Sequence, residues 1–215
     1  MKWRTDALTP GCLKSAQKLK TFPWLKDFYL AGGTALALRY GHRVSVDLDF
    51  FSRQNALDWG GREPLLESLE SLGSAMEEQK DGTIHARHGT THVSFFRYRY
   101  PLLAPLARWD GIAVAAPLDI GLMKIGAIIG RGSKKDFMDL YVLAQNGPTL
   151  STLLRAAPKK FSAGADFTLQ ACRALVYFKD AEEEPSLKML RPVSWPEVKR
   201  FFEAEVRRLS HAYKK

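Results

Sequence analysis

Cysteine is scarce: the 215 residues contain two, Cys12 and Cys172, far apart and without metal-ligand spacing. That excludes a disulfide scaffold and a cysteine-built zinc site, and it reads as two plain thiols in a reducing cytoplasm. Long apolar runs are missing too. No stretch approaches the ~20 apolar residues that a membrane helix needs, so no membrane partner is expected. The opening MKWRTDALTPG carries charges but no apolar h-region, which is not a signal-peptide pattern. Internal repeats and low-complexity linkers are absent. Acidic residues are under-represented, 23 against 32 lysines and arginines, for a net charge of +9. Such a balance favours polyanionic partners: nucleic acid, nucleotides or an acidic protein. Much of the excess lies in KWR…KSAQKLK, RGSKK and EVKRFFEAEVRRLSHAYKK. The last also reads as an amphipathic helix with a solvated basic face.

What is present divides into two styles of patterning. In the first half, CLKSAQKLKTF predicts a helix ending before Pro23, and FYLAGG a short buried strand running into glycines. TALALRY predicts a short helix, with Thr34 at its start and Gly41 where a C′ glycine belongs. RVSVDLDFF alternates at period two, which places Val44, Val46, Leu48 and Phe50 on one face and Ser45, Asp47 and Asp49 on the other. EPLLESLESLG predicts a helix. SAMEEQ, TIHARH and THVSFFRY predict three strands joined by turns at Asp81-Gly82 and Gly89-Thr90. After YPLLAPL and a strand IAVAA the pattern is helical throughout: PLDIGLMKIGAIIG from Pro117, KKDFMDLYVLAQNG closed by Gly147, PTLSTLLRAAPKKF, DFTLQACRALVYF and SWPEVKRFFEAEVRRLSHAY. No strand is expected beyond about residue 116. The expectation is an α+β fold: a mixed-sheet α/β core over residues 1–116, and a helical C-terminal domain over 117–215 packed on it, with a cleft where they meet.

The stretch YLAGGTALALRYGHRVSVDLDFF carries the chemistry. Alternate strand residues point the same way, so Asp47 and Asp49 present two carboxylates together. Buried like charges are costly unless a cation sits between them, and hard oxygen ligands at this spacing suit Mg²⁺ or Mn²⁺. Gly32 and Gly33 lie between a strand and a helix, where backbone N–H groups can approach a phosphate and the helix start adds positive charge. Thr34 offers a hydroxyl donor at the same place. A phosphate cradle and a metal-binding strand joined by one helix are what nucleotidyl transfer from a nucleoside triphosphate (NTP) requires. Either motif alone is weak; a surface turn beside a solvated strand face is the bland alternative.

GGTALALRYGHRVSVDLDFF resembles the opening motif of the AbiEii/AbiGii toxin family, within the DNA polymerase β-like nucleotidyltransferase superfamily. LDIGLMKIGAIIGRGSKKDFMDLYVL is similar to that family's second block, so the resemblance runs from about Tyr29 to Leu143. It implies a polymerase β-like nucleotidyltransferase mixed sheet followed by a C-terminal helical bundle. It further implies that Gly32, Gly33 and Thr34 form the phosphate-binding turn, and Asp47 and Asp49 the metal-binding pair. Lys124 then faces the nucleotide phosphates, Asp136 is the essential acid after it and Asp139 the second acid of that helix. Other readings compete: snorkelling for Lys124, helix-start complementarity for Asp136 and Asp139. Arg39 and Arg43 can meet phosphates or pair with a carboxylate. Such transferases often carry a third carboxylate on a later strand. Here that strand is THVSFFRY, with Ser94 at the inward position and no acid, which leaves Asp136 or a substrate-assisted path as the base. His92, two residues from Ser94, reads as a packed or surface histidine.

The resemblance implies a cytoplasmic, Mg²⁺-dependent nucleotidyltransferase, the toxin of a type IV toxin–antitoxin (abortive infection) pair, with a cognate antitoxin. The basic charge suits tRNA or another RNA as acceptor; a protein acceptor is open as well. One alternative is a catalytically weak NTP-binding protein acting through a protein partner. Another is a small-molecule (antibiotic) nucleotidyltransferase, against which the second block argues.

Overall fold

The structure, a computed structural model, describes residues 2–161 and 164–212. The end of the C-terminal helix expected at Tyr213, and the basic residues after it, lie outside the described residues. The chain divides into two compact units: unit 1 comprises Met1–Pro101 and Pro105–Ala116, and unit 2 comprises Leu102–Ala104 and Pro117–Lys215.

Unit 1 is a seven-stranded mixed sheet with helices. In chain order it runs α1 (Pro10–Leu19), β1 (Tyr29–Leu30), α2 (Gly32–Tyr40), β2 (Leu48–Ser52), α3 (Trp59–Ser71), β3 (Ala75–Lys80), β4 (Thr83–His88), β5 (Thr91–Arg97), β6 (Ala107–Trp109) and β7 (Ile112–Val114). The strand order is β3-β4-β5-β2-β1-β7-β6. β2 runs parallel to β5 and antiparallel to β1, and β1 runs parallel to β7. The turns expected at Asp81-Gly82 and Gly89-Thr90 join β3 to β4 and β4 to β5, with both glycines at positive φ. Side-chain alternation separates two faces of this sheet. Leu48 and Phe50 of β2, Val93 and Phe95 of β5, and Ile84 and Ala86 of β4 are buried, with the Phe50 and Phe95 rings stacked at 5.3 Å. Asp49, Phe51, Phe96 and His85 lie on the other, half-buried face, where Phe51 and Phe96 stack at 5.0 Å.

The strand carrying the aspartates is shorter than its alternation suggests. β2 begins at Leu48, and Ser45 before it makes only an isolated bridge to Leu8. The N-terminal segment claims that backbone: Ser45 N–H donates to the Ala7 carbonyl (2.8 Å) and Thr9 N–H to the Ser45 carbonyl (3.3 Å). Ser45 is therefore buried and Val46 is 48% exposed, the reverse of the expected faces, while Leu48 and Phe50 enter the core as expected. β6, which the pattern did not suggest, pairs with β7 through only three residues.

Unit 2 is helical among the described residues: α4 (Pro117–Gly130), α5 (Lys134–Asn146), α6 (Leu150–Lys160), α7 (Gly164–Ala174), α8 (Lys179–Glu182) and α9 (Trp195–Ala212). Gly121 of α4 lies so close to α6 that a Cβ there would stand 2.7 Å from a Leu153 methyl. Asp119, fully buried in the first turn of α4, accepts from the Leu103 and Ala104 N–H groups (3.0–3.1 Å) and from Lys160 Nζ (2.7 Å). A buried carboxylate of this kind is tolerable only because it is fully paired. No helix among the described residues is long and apolar enough to cross a membrane.

Candidate active site

The glycine turn is where β1 passes into α2. The helix starts two residues earlier than expected, at Gly32, whose φ of +66° belongs to the left-handed region that glycine adopts freely. A Cβ on Gly32 would stand 3.0 Å from Asp49 Oδ2, so glycine is required both by conformation and by the nearness of that carboxylate. The Ala31 N–H donates to the Asp49 carbonyl at 3.0 Å, which locks the turn to β2. The N-cap Ala31 supplies no side-chain acceptor, and the first-turn N–H groups of a helix have no acceptor within it. α2 ends at Gly41, in the left-handed conformation at φ +59°, with its N–H on the Ala37 carbonyl.

Thr34 is buried, and its hydroxyl lies 2.5 Å from the Asp47 carbonyl and 2.7 Å from Ser45 Oγ. The hydroxyl expected to meet a phosphate is thus turned into the protein, where it fixes the backbone at Asp47; only the Thr34 N–H remains for the cradle. Asp47 and Asp49 are both half-buried. Their charges reach a common neighbour: burial first, then Asp47 and Asp49, pushes the Cys12 thiol up to about 12, and its Sγ lies 3.7 Å from the Asp47 carbonyl. Two carboxylates beside a glycine turn fit a cation that takes one or two carboxylates and completes its shell with substrate oxygens and water, as Mg²⁺ does. No cluster of three or more His, Cys, Asp or Glu suited to a metal occurs among the described residues.

The two arginines follow the glycine turn, one at the end of α2 and one after it. Arg39 sits in the last turn of α2, about 10 Å along the axis from Gly32, with its guanidinium over the Trp3 ring at 5.2 Å. Burial lowers its pKa. Arg43 is buried, with Nη1 donating to the Val44 carbonyl at 3.2 Å.

Ser94 is the register partner of Asp49 across the parallel β2–β5 pair. The strand position beside Asp49 therefore holds a hydroxyl and no acid, the position the sequence reading gave to Ser94. Ser94 Oγ lies 2.9 Å from His85 Nδ1 on β4, and His85 in turn pairs in register with Glu78 on β3. His85 escaped sequence reasoning because its relation to Ser94 is a cross-strand register; the Gly89 turn, counted out residue by residue, was the available signal. His92 has its Nδ1 2.9 Å from Glu77 Oε2.

The second block lies in unit 2 and forms an ion cluster between α4 and α5. Lys124 Nζ stands 2.8 Å from Asp136 Oδ1 and 2.7 Å from Asp139 Oδ2. Arg131 Nε and Ser133 Oγ donate to Asp136 Oδ2 at 2.9 and 2.7 Å, and Arg131 Nη2 to Oδ1 at 3.4 Å. Burial raises the Asp136 pKa, but Lys124 and Arg131 lower it further, to about 2. A carboxylate so well satisfied is a poor proton acceptor.

A profile described as the AbiEii toxin nucleotidyl transferase of a type IV toxin–antitoxin system matches residues 16–110. An uncharacterized protein of Aquifex aeolicus (strain VF5) is 39% identical over 198 residues, covering 90% of this chain and 93% of that protein. Among solved structures, a candidate nucleotidyltransferase from H. pylori superposes with a TM-score of 0.52 at 16% identity, over 95% of this chain and 98% of that one. MenT4, a nucleotidyltransferase toxin from Mycobacterium tuberculosis H37Rv, superposes with a TM-score of 0.51 at 16% identity, over 91% of this chain and 85% of that one. At this identity the last two are likenesses of fold.

Proposed function

The chain belongs to the family of AbiEii nucleotidyltransferase toxins, and from that premise we propose that it transfers a nucleotide from an NTP to an RNA acceptor such as tRNA, in a Mg²⁺- or Mn²⁺-dependent reaction in the cytoplasm. It acts as the toxin of a type IV pair, with a cognate antitoxin as its protein partner. The observation that carries this reading is Gly32 pressed against Asp49: the backbone turn that would cradle phosphates and the carboxylate that would hold a cation are 3.0 Å apart at the missing Cβ.

The residues divide the work as follows. The N–H groups of Gly32, Gly33 and Thr34 receive phosphate oxygens at the positive end of α2. Asp47 and Asp49 would hold the divalent cation, with the Thr34 hydroxyl fixing the Asp47 backbone. The cation, when bound, neutralises triphosphate charge and favours displacement at phosphorus. Within unit 2 the Lys124 ammonium is held by Asp136 and Asp139, so those two acids act by positioning it. The net charge of +9 supports an RNA acceptor through sequence-independent phosphate contacts.

The test is transfer of label from α-³²P NTP to tRNA by purified protein with Mg²⁺. Transfer is expected, and Asp47→Ala is expected to abolish it; a variant as active as the unsubstituted protein contradicts the mechanism. A second reading, NTP binding without transfer, draws on the absence of an acid at Ser94 and predicts nucleotide-dependent stabilisation with no turnover.

A further inference from the structure

A transferase of this kind must take a proton from the acceptor hydroxyl, and the obvious acids are occupied. Asp47 and Asp49 are assigned to the cation, Asp136 carries four hydrogen bonds and a pKa near 2, and β5 offers serine where a carboxylate is expected. The sheet supplies another group one strand further out. Asp49, Ser94, His85 and Glu78 form a single row across the adjacent strands β2, β5, β4 and β3, each the register partner of the next. Register partners share a face, and neighbouring strands lie about 4.8 Å apart, so the row reaches from the carboxylate pair to the imidazole over roughly 10 Å.

Resting on the transfer reading above, we propose that Ser94 and His85 are the proton-accepting pair of this protein: Ser94 meets the acceptor hydroxyl and His85 acts through it as a positioning residue. His85 Nε2 faces Glu78 Oε2 at 3.9 Å. A proton on Nε2, toward that carboxylate, leaves Nδ1 as the acceptor for the Ser94 hydroxyl at 2.9 Å. Phe96 packs its ring against His85 at 5.5 Å and restrains the imidazole. Glu78 also pairs with Lys80, and Arg87, the next outward residue on β4, is held by Glu77 at 3.0 Å.

In the step, the acceptor oxygen forms a bond to the α-phosphorus as the bond from that phosphorus to the bridging oxygen breaks, and the electron pair leaves with pyrophosphate. The acceptor proton passes to Ser94 Oγ while the Ser94 proton passes to His85 Nδ1. The resulting imidazolium faces Glu78, and its side chain, one-third exposed, returns the proton to water. Positioned proton transfer contributes about 10²–10⁴-fold to rate.

The experiment measures transfer from α-³²P NTP to bulk tRNA with Mg²⁺ for the unsubstituted protein, His85→Gln, His85→Ala, Ser94→Ala and the double variant His85→Gln/Ser94→Ala. His85→Gln is expected to lower kcat by ~100-fold or more with the KM for NTP unchanged and with NTP-dependent thermal stabilisation intact. Added imidazole is expected to restore His85→Ala, and the double variant to be no slower than the slower single one. A folded His85→Gln that transfers at the unsubstituted rate overturns the proposal, as do losses that multiply in the double variant. Should His85→Gln fail to fold, Ser94→Ala decides alone: a loss of similar size supports the pair and an unchanged rate overturns it. No transfer by the unsubstituted protein overturns the underlying reading and this proposal with it, an outcome distinct from normal transfer by the variants.

Discussion

Four hydrogen bonds converge on Asp136, from Lys124, Arg131 twice and Ser133, and they favour the ionised form of an acid at the start of α5. Its pKa of about 2 against an ordinary 3.8 makes it a pH-dependent source of stability. Because the folded-state value is depressed, the contribution is fully present above pH 3.8 and is lost as pH falls through that value toward 2. The displacement corresponds to roughly 2 kcal/mol. Removing the carboxylate costs more at neutral pH, because Lys124 is then left buried with one partner fewer. Asp136→Asn is expected to lower stability by about 3–5 kcal/mol near pH 7, with the gap to the unsubstituted protein narrowing in denaturant titrations repeated from pH 5 down to pH 2. A gap that does not change with pH contradicts this account. The sequence disclosed that Lys124 needed a partner, since a lysine in GLMKIGAII stands among apolar neighbours. It did not disclose that Arg131 and Ser133 fold back through the Gly132 turn onto the same acid, which depends on where α4 ends.

At the scale of elements, the connection β1–α2–β2 is what makes a short motif into a site. Gly32 holds a left-handed φ against the Asp49 carboxylate, and Thr34 ties the first turn of α2 to the Asp47 backbone. Gly32→Ala is expected to cost about 1–2 kcal/mol through its backbone conformation. It is also expected to weaken Mg²⁺–NTP binding by more than that loss explains, because the added Cβ displaces Asp49 Oδ2. Calorimetric titration of the folded variant checks this; binding equal to that of the unsubstituted protein contradicts the close approach of turn and carboxylate. Elements with a local signature were legible: α2 through its Gly41 stop, the β3–β4–β5 meander through its glycine turns, and α4 and α5 through Pro117 and Gly147. The stretch from Arg43 to Asp47 was not, because its central residue Ser45 bonds to the N-terminal residues Ala7 and Thr9. β6 was too short to show a period.

At the scale of the molecule, the mixed sheet with a helical second half was legible because the residue pattern changes from period two to a helical period near residue 116. The strand order was not, since β2 joins β5 and β1 joins β7 by parallel pairings between residues distant in sequence. The register that sets Asp49, Ser94, His85 and Glu78 in one row belongs to that hidden level. The match to the AbiEii profile falls on residues 16–110, in unit 1 apart from Leu102–Ala104, while the Aquifex relative spans 90% of the chain and so takes in helices of unit 2 as well. The central claim nevertheless rests on two carboxylates and a turn in unit 1. It is tested most directly, and without knowledge of the acceptor, by thermal unfolding with a non-hydrolysable NTP analogue in the presence and absence of Mg²⁺. The account predicts that the analogue raises the unfolding temperature of the unsubstituted protein with Mg²⁺ far more than without it, and that Asp47→Asn and Asp49→Asn each remove the metal-dependent part. A metal-dependent rise of the same size in both folded variants would contradict it.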